Sequence, residues 1–247
     1  MSGRKVVILG VNGSPRKYGG ASSLLRVALK AAGKEGAETR LIHLCDYRIE
    51  PCAGCLSDVQ EACKPPCVFE DDMRKLYSAV MEAHGIILAT PIYWYAPSGL
   101  MKNFIDRLTV FENMIMLGDK SWLEGKVVGA IAVGNDSGEI MTISYLLVTM
   151  NSMGALVPPW ALAYSRMGDK ALEDESAVRD AANLGAIIAR AAKTLVEHGP
   201  QEWYKPELPW LDEIVESVRK EIAEEKERQL PTRKKLVEKI LREKPRV

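Results

Sequence analysis

Four cysteines fall within sixteen positions, Cys52-x2-Cys55-x7-Cys63-x3-Cys67, flanked by Pro51, Pro65 and Pro66. Thiolates favour zinc or iron–sulfur, and four of them complete either site. A disulfide such as Cys63–Cys67 would draw on the same residues. The fifth cysteine, Cys45, closes an apolar segment and reads as a buried thiol.

A second group lies in Gly10-Val-Asn-Gly-Ser-Pro-Arg-Lys-Tyr-Gly-Gly-Ala-Ser-Ser23, between an apolar run and a helical pattern. A Gly/Ser loop entering a helix points backbone N–H groups at one spot, where the helix dipole favours an anion. Ser14, Ser22 and Ser23 can donate to phosphate oxygens, and Arg16 adds charge. The loop is neither Gly-x-Gly-x-x-Gly nor a Walker loop. The plainer alternative is a Gly/Pro turn with an N-cap serine. Further on, Pro91-Ile-Tyr-Trp-Tyr95 places three aromatics at the end of an apolar run. Tyr93, Trp94 and Tyr95 cannot all face one side, so at least one is expected to be exposed or to stack on a flat conjugated ring. The small polar stretch Gly134, Asn135, Asp136, Ser137, Gly138 would let backbone amides approach a ligand edge.

Other reactive side chains read as structural. His43, His84 and His198 are isolated in sequence, and no Gly-x-Ser-x-Gly or His-Glu-x-x-His occurs. Asp106-Arg107 reads as an ion pair or cap. Glu70, Asp71 and Asp72 suit a helix N-terminus. Met101, Met114, Met116, Met141, Met150 and Met153 read as fillers of core and interface gaps.

Five apolar segments have strand character: 5–11, 39–44, 85–90, 126–133 and 155–164. The first, third and fourth are Val/Ile-rich and continuous, as for strands covered on both faces. Helical periodicity falls between and after them, at 22–32, 71–83, 98–111, 139–153 and 171–197. Alternation of the two predicts an α/β fold with a parallel sheet and helices on both sides. In such a sheet, ligands bind beyond the carboxyl ends of the strands, where the first and third strands meet. That places the first loop and the aromatic triplet side by side. The chain then divides into a domain over 1–199 and a charged helical extension over 200–247. Pro231 is expected to split the extension into helices 211–228 and 232–243, with Trp203, Tyr204, Trp210 and Leu211 as an apolar anchor for packing or for a second subunit.

The chain has 247 residues, 47% of them hydrophobic, with a formal net charge of zero. That balance calls for neither nucleic acid nor an acidic membrane as partner. No stretch approaches the roughly 20 apolar residues of a membrane span, and the N-terminal apolar run is too short for a signal-peptide core. A cytoplasmic location is the expectation.

Together these loops resemble the NADPH-dependent FMN reductase and iron–sulfur flavoprotein group of flavodoxin-like proteins. The match lies in Gly13-Ser-Pro-Arg-Lys17, Cys52-Ala-Gly-Cys55, Cys67-Val-Phe-Glu-Asp-Asp-Met73, and Pro91-Ile-Tyr-Trp with Ser98-Gly-Leu-Met-Lys and Phe104-Ile-Asp-Arg107, over about residues 5–195. The resemblance implies a flavodoxin-like three-layer sandwich with five parallel strands in the order 2-1-3-4-5. It puts Ser14, Arg16, Ser22 and Ser23 on the FMN phosphate, Pro91, Ile92, Tyr93, Trp94 and Tyr95 on the ribityl chain and ring, and Gly134 to Gly138 on the flavin edge. Where the family often has Gly-Asn-Thr, this chain has Gly19-Gly20-Ala21, which removes one phosphate donor. In the iron–sulfur members a third cysteine follows the second after two residues. Here that position is Asp58, and Cys63 comes later. A [4Fe–4S] cluster, zinc and a disulfide stay open. The implied activity is electron transfer from NAD(P)H or a ferredoxin through FMN to a small acceptor such as a quinone or free flavin. The alternative is a non-enzymatic flavodoxin-like carrier or FMN-binding module. A homodimer or homotetramer is implied as well.

Overall fold

The structure, a computed structural model, describes residues 5–199, 203–205 and 207–243. It forms two compact units, and the chain passes from the first to the second between Tyr204 and Lys205.

The strands of the first unit are β1 (Val7–Asn12), β2 (Glu38–His43), β3 (Gly85–Tyr93), β4 (Ala96–Pro97), β5 (Val127–Val133) and β6 (Leu162–Ser165). Their order in the sheet is β2-β1-β3-β5-β6, all parallel, and β4 folds back antiparallel on the end of β3. Leaving out the two-residue β4, this is the expected 2-1-3-4-5. The helices are α1 (Gly20–Lys34), α2 (Met73–Glu82), α3 (Gly99–Arg107), α4 (Thr109–Glu112), α5 (Glu139–Ser152) and α6 (Glu175–His198).

Alternation along each central strand feeds two cores. Leu9 and Val11 of β1 and Ile86 and Leu88 of β3 pack with Met73, Leu76 and Val80 of α2, Phe104 of α3 and Leu146 of α5. Ile8, Ile87 and Ala89 face the other way, onto Leu24, Leu25 and Ala28 of α1 and Leu184 and Ile188 of α6. This is the period-two side-chain pattern of a strand buried on both faces, and it makes three layers.

Three local expectations are corrected. The segment 155–164 is mostly not strand: only Leu162–Ser165 joins the ladder, after a lone bridge at Leu156. Pro158 and Pro159 have no N–H to give a ladder. Cys45 is exposed, because a short turn after β2 buries Leu44 and leaves its neighbour outside. In the second unit a single helix, α7 (Leu211–Glu243), runs through Pro231. None of its described side chains is buried, so solvent can take up the carbonyl that the proline leaves without a donor.

Within the first unit, Trp203 and Tyr204 line a cavity of about 560 Å³ with Glu112, Met116 and Met153. Trp210 and Leu211 belong to the second unit.

Candidate functional site

The ends of β1, β3, β5 and β6 open onto two adjoining cavities. One, of about 100 Å³, is lined by Ser14, Arg16, Gly19, Gly20, Pro91, Tyr93, Gly168 and Asp169 among others. The other, of about 290 Å³, is lined by Ile92, Trp94, Tyr95, Gly134, Asn135, Asp136 and Ser137. Ile92, Gly134 and Asn135 belong to both walls.

The smaller cavity lies at the N-terminus of α1. Ser14 is buried, and its Oγ accepts from the Arg16 N–H at 3.1 Å, which leaves the hydroxyl hydrogen to donate. Asn12 supports the loop from below. Its Oδ1 accepts from the Ser14 N–H at 3.1 Å, and its Nδ2 lies 2.9 Å from His43 Nδ1. Burial, with Arg26 and Lys17 nearby, pushes His43 below the usual imidazole value. Ser22 donates its hydroxyl to the Lys17 carbonyl at 2.7 Å, so it shapes the loop. Ser23 is half-buried in the first turn of α1. Arg16 reaches across the cavity mouth to Asp169, 2.7 Å away, and both side chains are exposed.

Ser98 ties this loop to β3. Its Oγ donates to the Gly13 carbonyl at 2.6 Å and accepts from the Met101 N–H at 3.2 Å, capping α3. Its own N–H donates to Thr90 Oγ1 at 3.0 Å.

The aromatic triplet lies on a hairpin. Tyr93 pairs with Ala96, and the two residues between them, Trp94 and Tyr95, both have left-handed backbones with φ of 51° and 66°. Two successive positive φ values fit a type I′ turn, which normally calls for Asn or Gly. An aromatic L-residue there costs about 1–2 kcal/mol. Trp94 is 94% exposed, and Tyr93 and Tyr95 are about half exposed. Strained backbones of this kind cluster at ligand-binding rims, and this pair stands at the larger cavity. The facing rim, Asn135 to Ser137, is exposed. Arg166 pairs with the buried Glu139 at the start of α5, linking β6 to this rim.

The four cysteines stand elsewhere, in the loop between β2 and α2. Cys52, Cys55, Cys63 and Cys67 line one cavity of about 10 Å³ with Phe69, Arg107 and Val110. None is in a disulfide. Cys52 is exposed, while Cys63 and Cys67 are buried. Burial, reinforced by the other three thiols, pushes Cys63 up to about 11. Asn113 pins the loop, donating to the carbonyls of Gln60 and Cys63 at 3.0 and 2.8 Å. Arg107 underlies it. It is not paired with Asp106, which binds Lys102 instead. Its guanidinium grips Asp71 at 2.6 and 3.2 Å and the Glu50 carbonyl at 2.8 Å. Asp71 is held below the usual carboxylate range, against its burial, by Arg107 and by the N–H groups of Glu50 and Met73. Thus Asp71 serves the cysteine loop as well as the start of α2.

The donor set fits an iron–sulfur cluster or zinc, with four thiols on one wall. As folded they are not drawn round a common point: among the described residues no three His, Cys, Asp or Glu stand at metal-binding spacing. The cavity has room for about one water, so loading it requires the loop to part.

Sequence reasoning missed Asn12, Thr90, Gly168 and Asp169 at the first site and Asn113 and Asp71 at the second. The end of the last strand was readable as part of the same rim from topology alone, and that would have pointed to Gly168-Asp169.

A family model described as NADPH-dependent FMN reductase matches residues 6–168. An iron–sulfur flavoprotein of Archaeoglobus fulgidus is 31% identical over 195 residues, covering 78% of this chain and 84% of that one. An iron–sulfur flavoprotein of Methanocaldococcus jannaschii is 31% identical over 198 residues, covering 76% and 98%. Among solved structures, RosB with bound 8-demethyl-8-formylriboflavin-5′-phosphate superposes with a TM-score of 0.67 at 22% identity, covering 87% of each chain, a likeness of fold. No described helix is long and apolar enough to cross a membrane. The chain belongs to the NADPH-dependent FMN reductase family and is an FMN-dependent oxidoreductase on a flavodoxin-like fold.

Proposed function

We propose that the two adjoining cavities hold FMN, with its phosphate at Ser14, Arg16 and the start of α1 and its ring between the aromatic hairpin and Gly134–Gly138. The observation that carries this is their shared wall, Ile92, Gly134 and Asn135, which joins an anion-binding helix start to a rim of exposed aromatics. When bound, FMN supplies the redox chemistry; the chain supplies position and charge. The Ser14 hydroxyl and the loop N–H groups donate to phosphate. Arg16 exchanges Asp169 for phosphate oxygen. Pro91 and Ile92 flank the ribityl chain, and Tyr93, Trp94 and Tyr95 cover the ring. Backbone amides of 134–138 offer donors where a reduced flavin carries negative charge. Ser22, whose hydroxyl is held by the Lys17 carbonyl, shapes the loop, and Ser23, half-buried in the first turn of α1, offers a further hydroxyl to phosphate.

The electron donor in this reading is NAD(P)H or a ferredoxin-like protein, and the acceptor is a small molecule such as a quinone or flavin. The unit acts in the cytoplasm as a homodimer or homotetramer. The test is FMN titration of the wild type and of Ser14→Ala with Arg16→Gln, together with anaerobic NADH and NADPH oxidation using a quinone acceptor. Saturable FMN binding that the double variant loses, with nicotinamide oxidation, is expected. Wild-type protein that takes up no FMN overturns the reading. FMN binding without nicotinamide oxidation favours an electron carrier.

The thiol cavity supports a second centre: Cys52, Cys55, Cys63 and Cys67 as ligands of an iron–sulfur cluster, the donor set that the named relatives suggest. Iron and sulfide assays on protein purified without air decide it. Iron-free protein that also fails anaerobic reconstitution removes the cluster.

A further inference from the structure

We propose that Arg107 is the charge-compensating residue of the four-cysteine centre, stabilising its more reduced form; this rests on the proposed cluster.

Arg107 is the largest fully buried side chain among the described residues, 1% exposed, in the wall of the cysteine cavity. A guanidinium stays charged in a protein, and a buried charge must be balanced. Asp71 supplies one carboxylate, the Glu50 carbonyl supplies one further acceptor, and the Phe69 ring lies over the guanidinium carbon at 4.8 Å. One nitrogen is left without any partner. Arg107 Nε is buried with no hydrogen-bond partner. Such a group is costly and uncommon in a well-packed interior. The cavity it shares with four thiols is where an acceptor would come from, because thiolate sulfurs ligating a metal are anionic. Cys67 is already among the groups that act electrostatically on Arg107. The sequence supplies this cation from α3, three residues after the core residue Phe104, so the same helix that packs the sheet carries the charge beneath the loop.

The sign follows from charge. Reduction by one electron adds negative charge to the cavity, which a nearby cation favours and a nearby carboxylate opposes. Arg107 lines the cavity and Asp71 does not, so removing each should act in opposite directions.

The experiment measures cluster potential by anaerobic dichroic or paramagnetic titration of the full, reconstituted protein, with iron and FMN content as checks on folding. Arg107→Gln is expected to lower the equilibrium constant for reduction at least tenfold, a fall of about 59 mV for one electron. Asp71→Asn is expected to raise it, and Arg107→Lys, which keeps the charge, to stay within about threefold of wild type. If Arg107→Gln does not accumulate, the rise in Asp71→Asn against the unchanged Arg107→Lys carries the test. A cluster with unchanged potential in Arg107→Gln and Asp71→Asn, or with both shifted the same way, overturns the role of Arg107 and leaves the cluster standing. Wild-type protein holding zinc or nothing overturns both, and the metal assay shows which has happened.

Discussion

Gly20 opens α1 at the point where the phosphate-side loop passes the loop after β6. A Cβ there would stand 2.0 Å from the Gly168 carbonyl oxygen and 2.9 Å from Val133 Cγ1. Ordinary contact begins at 3.4 Å, so an alanine must drive two backbone segments apart by more than an ångström. Overpacking of this kind costs about 1–3 kcal/mol, sometimes more. At about 2–4 °C per kcal/mol for a domain of this size, Gly20→Ala lowers Tm by about 2–12 °C. It also shifts the Gly168 backbone and the start of α1, both in the wall of the smaller cavity, so FMN affinity falls with stability. Gly33 provides the internal control. It lies in the same helix, is exposed, and has nothing within 4 Å of its would-be Cβ. There the same substitution removes a helix-weakening glycine and gains up to about 1 kcal/mol. Scanning calorimetry of the two variants, with FMN titrated by fluorescence quenching, reads both effects. A Gly20→Ala protein as stable as wild type, or one no less stable than Gly33→Ala, would refute the claim that this close approach builds the cavity.

Trp94→Asn places a residue tolerant of left-handed backbone at the hairpin tip and gives up little packing; FMN-free protein gains about 1 kcal/mol while FMN affinity falls, read by melting with and without FMN. Asp169→Asn frees Arg16 from its exposed partner and tightens FMN binding, whereas Arg16→Gln weakens it; equilibrium titration separates them. Burial pushes Lys126 down to about 8 from 10.5, its Nζ donating to the Met81 and Ala83 carbonyls. The unfolded chain therefore holds the extra proton between those values, and stability rises with pH across that window by at most about 1.4 kcal/mol per pH unit; urea midpoints of wild type minus Lys126→Met show the slope. Iodoacetamide at pH 8 labels the exposed Cys45 and Cys52 of metal-free protein before Cys63, whose thiol is pushed up to about 11, as peptide mass spectrometry resolves.

The strand order was legible because its signals are strong and local. Continuous Val/Ile runs mark β1, β3 and β5, and alternation with helical periods leaves few topologies. The last strand was overdrawn because hydrophobicity in 155–161 says nothing about the N–H groups that Pro158 and Pro159 lack. Pro231 misled in the opposite way. It weakens a helix, but an exposed helix has solvent to repair the gap, and sequence alone does not give exposure. At the candidate site, the residues that sequence reasoning singled out and that the structure places in the cavity walls are those carrying obvious chemistry: Ser14, Arg16, the aromatics and the cysteines. Those that were missed act through long-range partners. Asp169 meets Arg16 across 153 positions, and Asn113 reaches back 50 positions to Cys63. No periodicity encodes such pairs.

The strain at Trp94 and Tyr95 and the buried Arg107 share a physical logic. Each violates a local rule of stability: a left-handed aromatic pair where Asn-Gly belongs, and a buried cation with one donor unsatisfied. Each also stands in the wall of a cavity, where contact with a planar or anionic group would offset its cost. Packing for its own sake would favour replacing both. A chain that keeps them is stabilised by what it binds, since a ligand taken up by the folded state alone adds to folding free energy. The increments should therefore be unequal: FMN restores more stability to wild type than to Trp94→Asn, and a cluster more to wild type than to Arg107→Gln. Equal increments would mean that these residues are ordinary packing defects.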